Sequence, residues 1–169
     1  MLNQGEINFL SKIPSDKIVK ILPYDPRVKE TASEIIKSIC QRYPDLKVIY
    51  LGASSLGISG QGDLDIYCLA STDTIPNYLD GLIELFGQPK SSRPDSFSWK
   101  FQKDGFDGEL YLTDPDTESM GRQIKIYEEL RRNPEILLEY EQLKQGLNGK
   151  SFKEYQEKKY EFYHRIIGD

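Results

Sequence analysis

Few cysteines, a single histidine and the lack of long apolar runs set the first limits on this chain. Cys40 and Cys68 lie in a helical and a strand pattern, so we expect two reduced, packed thiols that cannot form a zinc site alone. No segment approaches the roughly 18 apolar residues that span a membrane, and the N-terminus lacks a basic, apolar leader. We therefore expect a cytoplasmic protein without a disulfide or a membrane partner.

The chain also has little excess charge of either sign. Its 22 basic and 27 acidic residues leave a net charge of -5, which argues against dedicated binding of duplex nucleic acid. His164, the one histidine, lies in a C-terminal helical pattern without partners at ligand spacing, so we expect it to pack or face solvent and expect no Ser-His-Asp triad. The kinds of site that remain open for this chain are those built on a metal ion, a bound phosphate or carboxylate side chains.

Length and hydrophobic periodicity predict a single mixed α/β (α+β) domain over residues 1–169. The sheet-containing part covers about residues 20–115, and a helical C-terminal part covers about 118–167. After an irregular N-terminal stretch, a helix capped by Asp25 is expected to run to Pro44. The remaining predicted elements are strands at 46–52 and 63–70, a helix ending at Gly87, a hairpin around Asp104-Gly105, and three helices separated by Asn133-Pro134 and Asn148-Gly149.

Glycines and serines are concentrated in one loop, "LGASSLGISGQGDLDIYC", between the first two predicted strands. Gly52 and Gly57 have the glycine spacing of a P-loop, but Ile58 and Ser59 occupy the places of its lysine and its serine or threonine. A dinucleotide fingerprint also fails, because the later glycines lead into a strand and not into a helix. The loop therefore needs another explanation.

Asp63 and Asp65 follow this loop at the start of the second strand. Alternate side chains of a strand share a face, so the two carboxylates are predicted to project from one side, about 6 to 7 Å apart. Burying two such groups without compensation is costly, and a hard cation such as magnesium is the natural partner. Gly52, Ser54 and Ser55 would then hold substrate phosphates against that metal.

The segments "LGASS" and "DLDI" resemble the nucleotidyltransferase superfamily that includes DNA polymerase beta, in which a Gly-Ser strand end precedes an Asp-x-Asp strand. Within that superfamily the chain resembles the GrpB family over roughly residues 20–165. The resemblance is carried by these two segments together with "LPYDPRV" (22–28), "YEELRRNPEILLEYEQLKQGL" (127–147) and "YQEKKYEF" (155–162).

The chain departs from the usual GrpB pattern at four places. Ala53 replaces a serine of the loop, and Arg27 with Val28 stands where a tryptophan is usual. Gly62 and the following aspartate replace Lys-Pro. Residues 109–111, Glu-Leu-Tyr, replace a His-x-His strand, which offers a third carboxylate on a neighbouring strand.

The resemblance implies a nucleotidyltransferase-like mixed sheet flanked by helices, and a magnesium-dependent transfer of a nucleotidyl group from a nucleoside triphosphate to a small acceptor that the sequence does not identify. Asp63, Asp65 and Glu109 would bind two magnesium ions and perform catalysis. Arg122 and Lys125 are candidates to contact the nucleotide, although a solvated helix face explains them as well.

Two other functions are compatible with the sequence. The first is a catalytically inactive, nucleotide-binding or regulatory domain of the same fold. The second is an acidic interaction module in which the Asp-x-Asp pair is incidental. The sequence gives no prediction of the oligomeric state.

Overall fold

The computed structural model describes residues 2–168 and has a five-stranded mixed sheet at its centre. The strands lie in the order β1-β2-β5-β4-β3. Only the β2–β5 pair is parallel; the other three pairs are antiparallel. The strand bounds are β1 Lys47–Leu51, β2 Leu64–Leu69, β3 Ser91–Arg93, β4 Ser96–Lys103 and β5 Phe106–Thr113.

Helices cover both faces of this sheet. The helix bounds are α1 Gln4–Ser11, α2 Val28–Arg42, α3 Gly52–Leu56, α4 Pro76–Phe86, α5 Glu118–Arg132, α6 Pro134–Gly146 and α7 Phe152–Ile167. None of the helices formed by residues 2–168 combines the length and the apolarity needed to cross a bilayer. The mixed α/β architecture expected from the sequence is confirmed.

Alternation along β2 and β5 divides the sheet into two faces. Leu64, Ile66, Leu110 and Leu112 are fully buried against α2 and α4, with Trp99 of β4 in the same cluster. The opposite face packs against α5, which contacts β1, β2 and β5 through an apolar cluster. Both cysteines are free, as expected.

The predicted elements recur with three differences in detail. The first long helix begins at Val28 and not after Asp25, because residues 25–27 form a turn whose first carbonyl accepts the Val28 amide. The short strand β3 and the short helix α3 were not predicted; five residues of α3 and three of β3 are too few to produce a periodic pattern. The Asp104-Gly105 hairpin is confirmed, with φ of 53° and 83°.

The N-terminal stretch is helical, so the expectation of irregular chain there was wrong. Asn3 and Glu6 form a capping box in which each side chain accepts the other residue's amide at 2.9 Å. Glu6 is also buried between Arg122 on α5 and His164 on α7, at 2.5 and 2.7 Å. His164 therefore packs inside the protein as a partner of Glu6.

Replacing Glu6 tests this attachment of α1. We expect Glu6→Gln to lower the free energy of unfolding by about 2 kcal/mol, because the charge of the buried Glu6 side chain, which pairs with the half-buried Arg122, would be lost. Urea denaturation measures the loss, and amide hydrogen exchange should show faster opening of α1. The matched control is Glu30→Gln on exposed α2 surface, expected to cost under about 0.5 kcal/mol. Equal losses in the two variants would contradict the interpretation.

Candidate functional site

The loop after β1 brings main chain against a carboxylate of β2. Leu51 pairs with Asp65 across the β1–β2 ladder, and Gly52 follows with a φ of +82°. A Cβ atom at position 52 would collide with the Asp65 carboxylate oxygen Oδ2. Both the backbone conformation and the close approach therefore require glycine here. The loop glycine singled out in the sequence lies directly against Asp65.

The two loop serines make hydrogen bonds within the loop. Ser54 donates its hydroxyl to the Asp63 carbonyl at 2.7 Å, and Ser55 donates to the Gly52 carbonyl at 2.9 Å. These bonds hold α3 in place against the chain entering β2. Whether the serines also bind phosphate stays a prediction.

Asp65 and Glu109 lie side by side on the face of the sheet opposite the α2–α4 core. The parallel register pairs Asp65 of β2 with Glu109 of β5, while Asp63 lies just before β2. The Glu109 carboxylate accepts a hydrogen bond from the Tyr111 hydroxyl and pairs with the Lys100 ammonium at 3.1 Å. These contacts hold the pKa of Glu109 below its usual range, although its burial opposes the ionised form.

The structure tests the idea of a three-carboxylate metal centre only in part. Over residues 2–168 no group of three or more histidine, cysteine, aspartate or glutamate side chains stands close enough together to hold a metal ion. In this geometry, Asp63, Asp65 and Glu109 are therefore neighbouring carboxylates and do not form a ready-made metal-binding group. Metal binding by the three residues stays a prediction.

Burial and neighbouring carboxylates disfavour the ionised form of Asp65. Burial raises the pKa of its carboxyl to about 7, and the nearby charge of Asp63 adds to this, with a smaller contribution from Glu109. Lys159 and Lys144 act in the opposite direction. An ionised Asp65 thus exists at neutral pH only at an energetic cost, which a bound divalent cation would relieve.

Lys144 is a site residue that the sequence analysis missed. It lies on α6 with only 3% of its surface exposed, and its ammonium is 5.1 Å from the centre of the Tyr140 ring. A Cβ atom on Gly60 would be 3.1 Å from this ammonium, which places it against the loop backbone. Burial lowers the pKa of Lys144 to about 7, and the positive charge of Lys159 lowers it further, while Asp63 and Asp65 oppose both effects.

Lys159 on α7 is the second missed cation. Burial disfavours its charge, but the acidic groups of Tyr163, Tyr155 and Asp65 outweigh burial and raise the pKa of Lys159. The detectable signal was a lysine four residues from a tyrosine on each side, which places all three on one helix face. Lys144 shows the same spacing after Tyr140.

Arg122 and Lys125, the cations expected to bind nucleotide, make contacts within the chain. Arg122 binds Glu6, as described above, and Lys125 donates to the Ile167 carbonyl at the end of α7 at 2.8 Å. Their part in nucleotide binding stays a prediction.

Substituting Gly52 tests the close approach to Asp65. We expect Gly52→Ala to lower the free energy of unfolding by about 3 kcal/mol, since a Cβ meets both an unfavourable φ and the carboxylate. The matched control is Gly57→Ala, which has a similar φ of +73° but nothing within 4 Å of its Cβ, and should cost about 1 kcal/mol. If urea denaturation shows equal losses of unfolding free energy in the two variants, the contact with Asp65 contributes nothing to the cost.

The raised pKa of Asp65 predicts a pH-dependent stability. A carboxyl whose pKa is near 7 when folded and near 3.8 when unfolded stabilises the fold fully below about pH 4, and this contribution is lost as the pH rises to 7. Asp65→Asn stays neutral, so it should be more stable than the native protein at pH 8 by about 2 kcal/mol, with a smaller gain at pH 5. Thermal unfolding at both pH values measures this. Exposed Asp73→Asn should give no such gain.

Comparisons with known proteins identify the family of the chain. No curated protein matches it. A crystal structure of conserved protein GrpB from Enterococcus faecalis has a TM-score of 0.69 at 14% identity, covering 88% of this chain and 97% of that one, and so shares the fold.

Two transferase structures are more distant. A cytoplasmic RNA terminal U-transferase has a TM-score of 0.42 at 16% identity, and the Cid1 poly(U) polymerase with MgGTP bound has one of 0.40 at 16%. Each covers 80% of this chain, which spans less than half of either protein, 43% and 45%. The family model described as "GrpB protein" matches residues 18–168, and the chain therefore belongs to the GrpB family.

Proposed function

We propose that the protein is a magnesium-dependent nucleotidyltransferase that moves a nucleotidyl group from a nucleoside triphosphate to a small acceptor. The observation that carries this proposal is the buried carboxylate of Asp65, two residues after Asp63, which the backbone of Gly52 approaches so closely that no side chain fits at position 52. A carboxylate held with a pKa near 7 beside a second carboxylate is typical of a functional site.

The donor set at this pair fits magnesium. Hard carboxylate oxygens are its preferred protein ligands, and it commonly uses one or two of them together with substrate phosphates. Asp63 and Asp65 would hold the ion, and Glu109 lies next to Asp65 in the register. When bound, magnesium supplies charge neutralisation at the phosphate and lowers the pKa of an attacking hydroxyl.

Lys144 and Lys159 are suited to neutralise the triphosphate. Lys144 lies over the Tyr140 ring and against Gly60 of the loop, and Lys159 lies over the Tyr163 ring at 5.5 Å. The charge of Asp65 favours the charged form of both lysines. A buried lysine near its neutral point regains its charge when a phosphate anion binds, so binding of the triphosphate and protonation of Lys144 favour each other. The protein's contribution to catalysis would be positioning and charge neutralisation.

The contacts of the Glu109 carboxylate bear on the choice between this enzyme and a second candidate, an inactive nucleotide-binding domain. That candidate is favoured by the pairing of Glu109 with Lys100 and Tyr111, which directs its carboxylate away from a three-carboxylate cluster. The Lys100 side chain is 59% exposed, however, and exposed ion pairs are weak and easily exchanged. Glu109 therefore stays available to a metal, and the enzyme is the preferred function.

Calorimetric titration with ATP and with GTP, with and without magnesium, tests the proposal. We expect one of the two nucleotides to bind only when magnesium is present. Asp65→Asn should remove this dependence on magnesium and weaken binding of the nucleotide at least tenfold. Exposed Asp73→Asn is the control and should bind as the native protein does. Absence of binding by both nucleotides would rule out both nucleotide functions.

Two further measurements distinguish the enzyme from the inactive domain. Pyrophosphate release after addition of a metabolite mixture, lost in Asp65→Asn, supports catalysis, whereas tight binding without release supports the inactive domain. We assign Lys144 to the outer phosphates of the triphosphate, so Lys144→Met should weaken ATP binding at least tenfold and AMP binding only slightly. Equal weakening of both would contradict that assignment.

A further inference from the structure

A cavity of about 330 Å³ opens beside Asp63, on the side of the loop nearest α2. We call it the side cavity. Three segments form its walls: residues 22–28 before α2, residues 53–63 of the loop, and the turn at 105–106 between β4 and β5. Its volume is that of a small-molecule site.

The walls of the side cavity are largely apolar. The apolar lining includes Leu22, Val28, Ile58 and Phe106. Val28 and Ile58 are buried in the two main apolar clusters of the protein, so they are fixed in position from behind. Such a surface favours a ligand with an apolar body over a fully polar one.

Two buried hydroxyls near this cavity have no hydrogen-bond partner within residues 2–168. They belong to Tyr24, which lines the side cavity, and to Tyr50 on β1. Because the Tyr24 hydroxyl is enclosed by the protein, it is the ring of Tyr24 that forms part of the cavity wall. This ring adds to the apolar surface that a ligand would contact.

The charges around the cavity disfavour an anionic ligand. Asp25 and Asp63 both line it. Arg27 also lines it and is paired with the Asp25 carboxylate at 2.6 Å, so these two charges offset each other and Asp63 gives the lining a net negative charge. A ligand that is neutral or positively charged matches this lining.

We propose that the side cavity binds the acceptor of the reaction, and that the acceptor is a small alcohol or amine with an apolar, ring-sized body. This inference rests on the proposed nucleotidyl transfer. Asp63 belongs both to the cavity wall and to the carboxylate pair, so a hydroxyl or amine at that end of the cavity lies next to the reacting phosphate.

The reaction balances without any further reagent. The acceptor oxygen or nitrogen forms a bond to the α-phosphorus, and the bond from that phosphorus to the bridging oxygen breaks. Pyrophosphate leaves with the electron pair of the broken bond, and the acceptor's proton is released to solvent at the cavity mouth.

Ligand-observed NMR with 2-phenylethanol as the probe tests the cavity directly. We expect binding with a Kd below about 10 mM, and binding at least tenfold weaker for 2-phenylethyl phosphate, which has the same body and a negative charge. Val28→Trp, which fills the cavity, should abolish binding of the probe. Tyr24→Ala, which removes the ring from the cavity wall, should weaken it at least threefold, whereas Tyr127→Ala, on α5 outside the cavity, should leave it unchanged.

Each other outcome overturns the proposal. Absence of probe binding, equal binding of the two probes, or unchanged binding in Val28→Trp would show that the cavity is not an uncharged-acceptor site.

The nucleotide titrations keep this inference separate from the proposed function. If 2-phenylethanol binds as expected but neither ATP nor GTP binds with magnesium, the nucleotidyl transfer fails and the acceptor assignment fails with it. If a nucleotide binds and the probe does not, the proposed function stands and the acceptor lies elsewhere.

Discussion

The burial of the Asp65 carboxylate beside that of Asp63 is the constraint on which the rest of the site depends. Two carboxylates on one strand end, one of them buried, destabilise the fold at neutral pH unless positive charge is brought to them. The chain supplies part of that charge from a distance, through Lys144 of α6 and Lys159 of α7. The C-terminal helices therefore complete an electrostatic balance that the sheet alone leaves unfavourable.

Sheet topology decides which groups can meet at this site. Because β2 and β5 are parallel neighbours, Asp65 and Glu109 lie in register on one face of the sheet. The residues that alternate with them along each strand face the other side and build the core there. The same row continues to Lys100 on β4, which is opposite Glu109. A row of two carboxylates and one ammonium group thus crosses three strands, and its outer end is open to solvent.

Local patterns predicted the sheet and the aspartates but not the lysines. Strand alternation placed Asp65 and Glu109 on one face, and the Asp104-Gly105 turn set the hairpin that carries Glu109. Lys144 and Lys159 were missed because a lysine in a helix is ordinarily solvated, whereas tertiary packing buries Lys144 and leaves Lys159 half-buried. Helix α1 was missed although Asn3 and Glu6 carry a capping signal, because its eight residues show little apolar periodicity.

Helix α1 lies outside the region matched by the family model, yet it is attached to a helix of the site. Glu6 holds His164, and His164 lies five residues after Lys159 on the same continuous α7. A helix of this length turns as a unit, so fixing its end also fixes the direction in which its lysine projects. Residues near the start of the chain thereby set the orientation of Lys159 near its end. The position of this cation in the site depends on a contact that spans nearly the whole sequence.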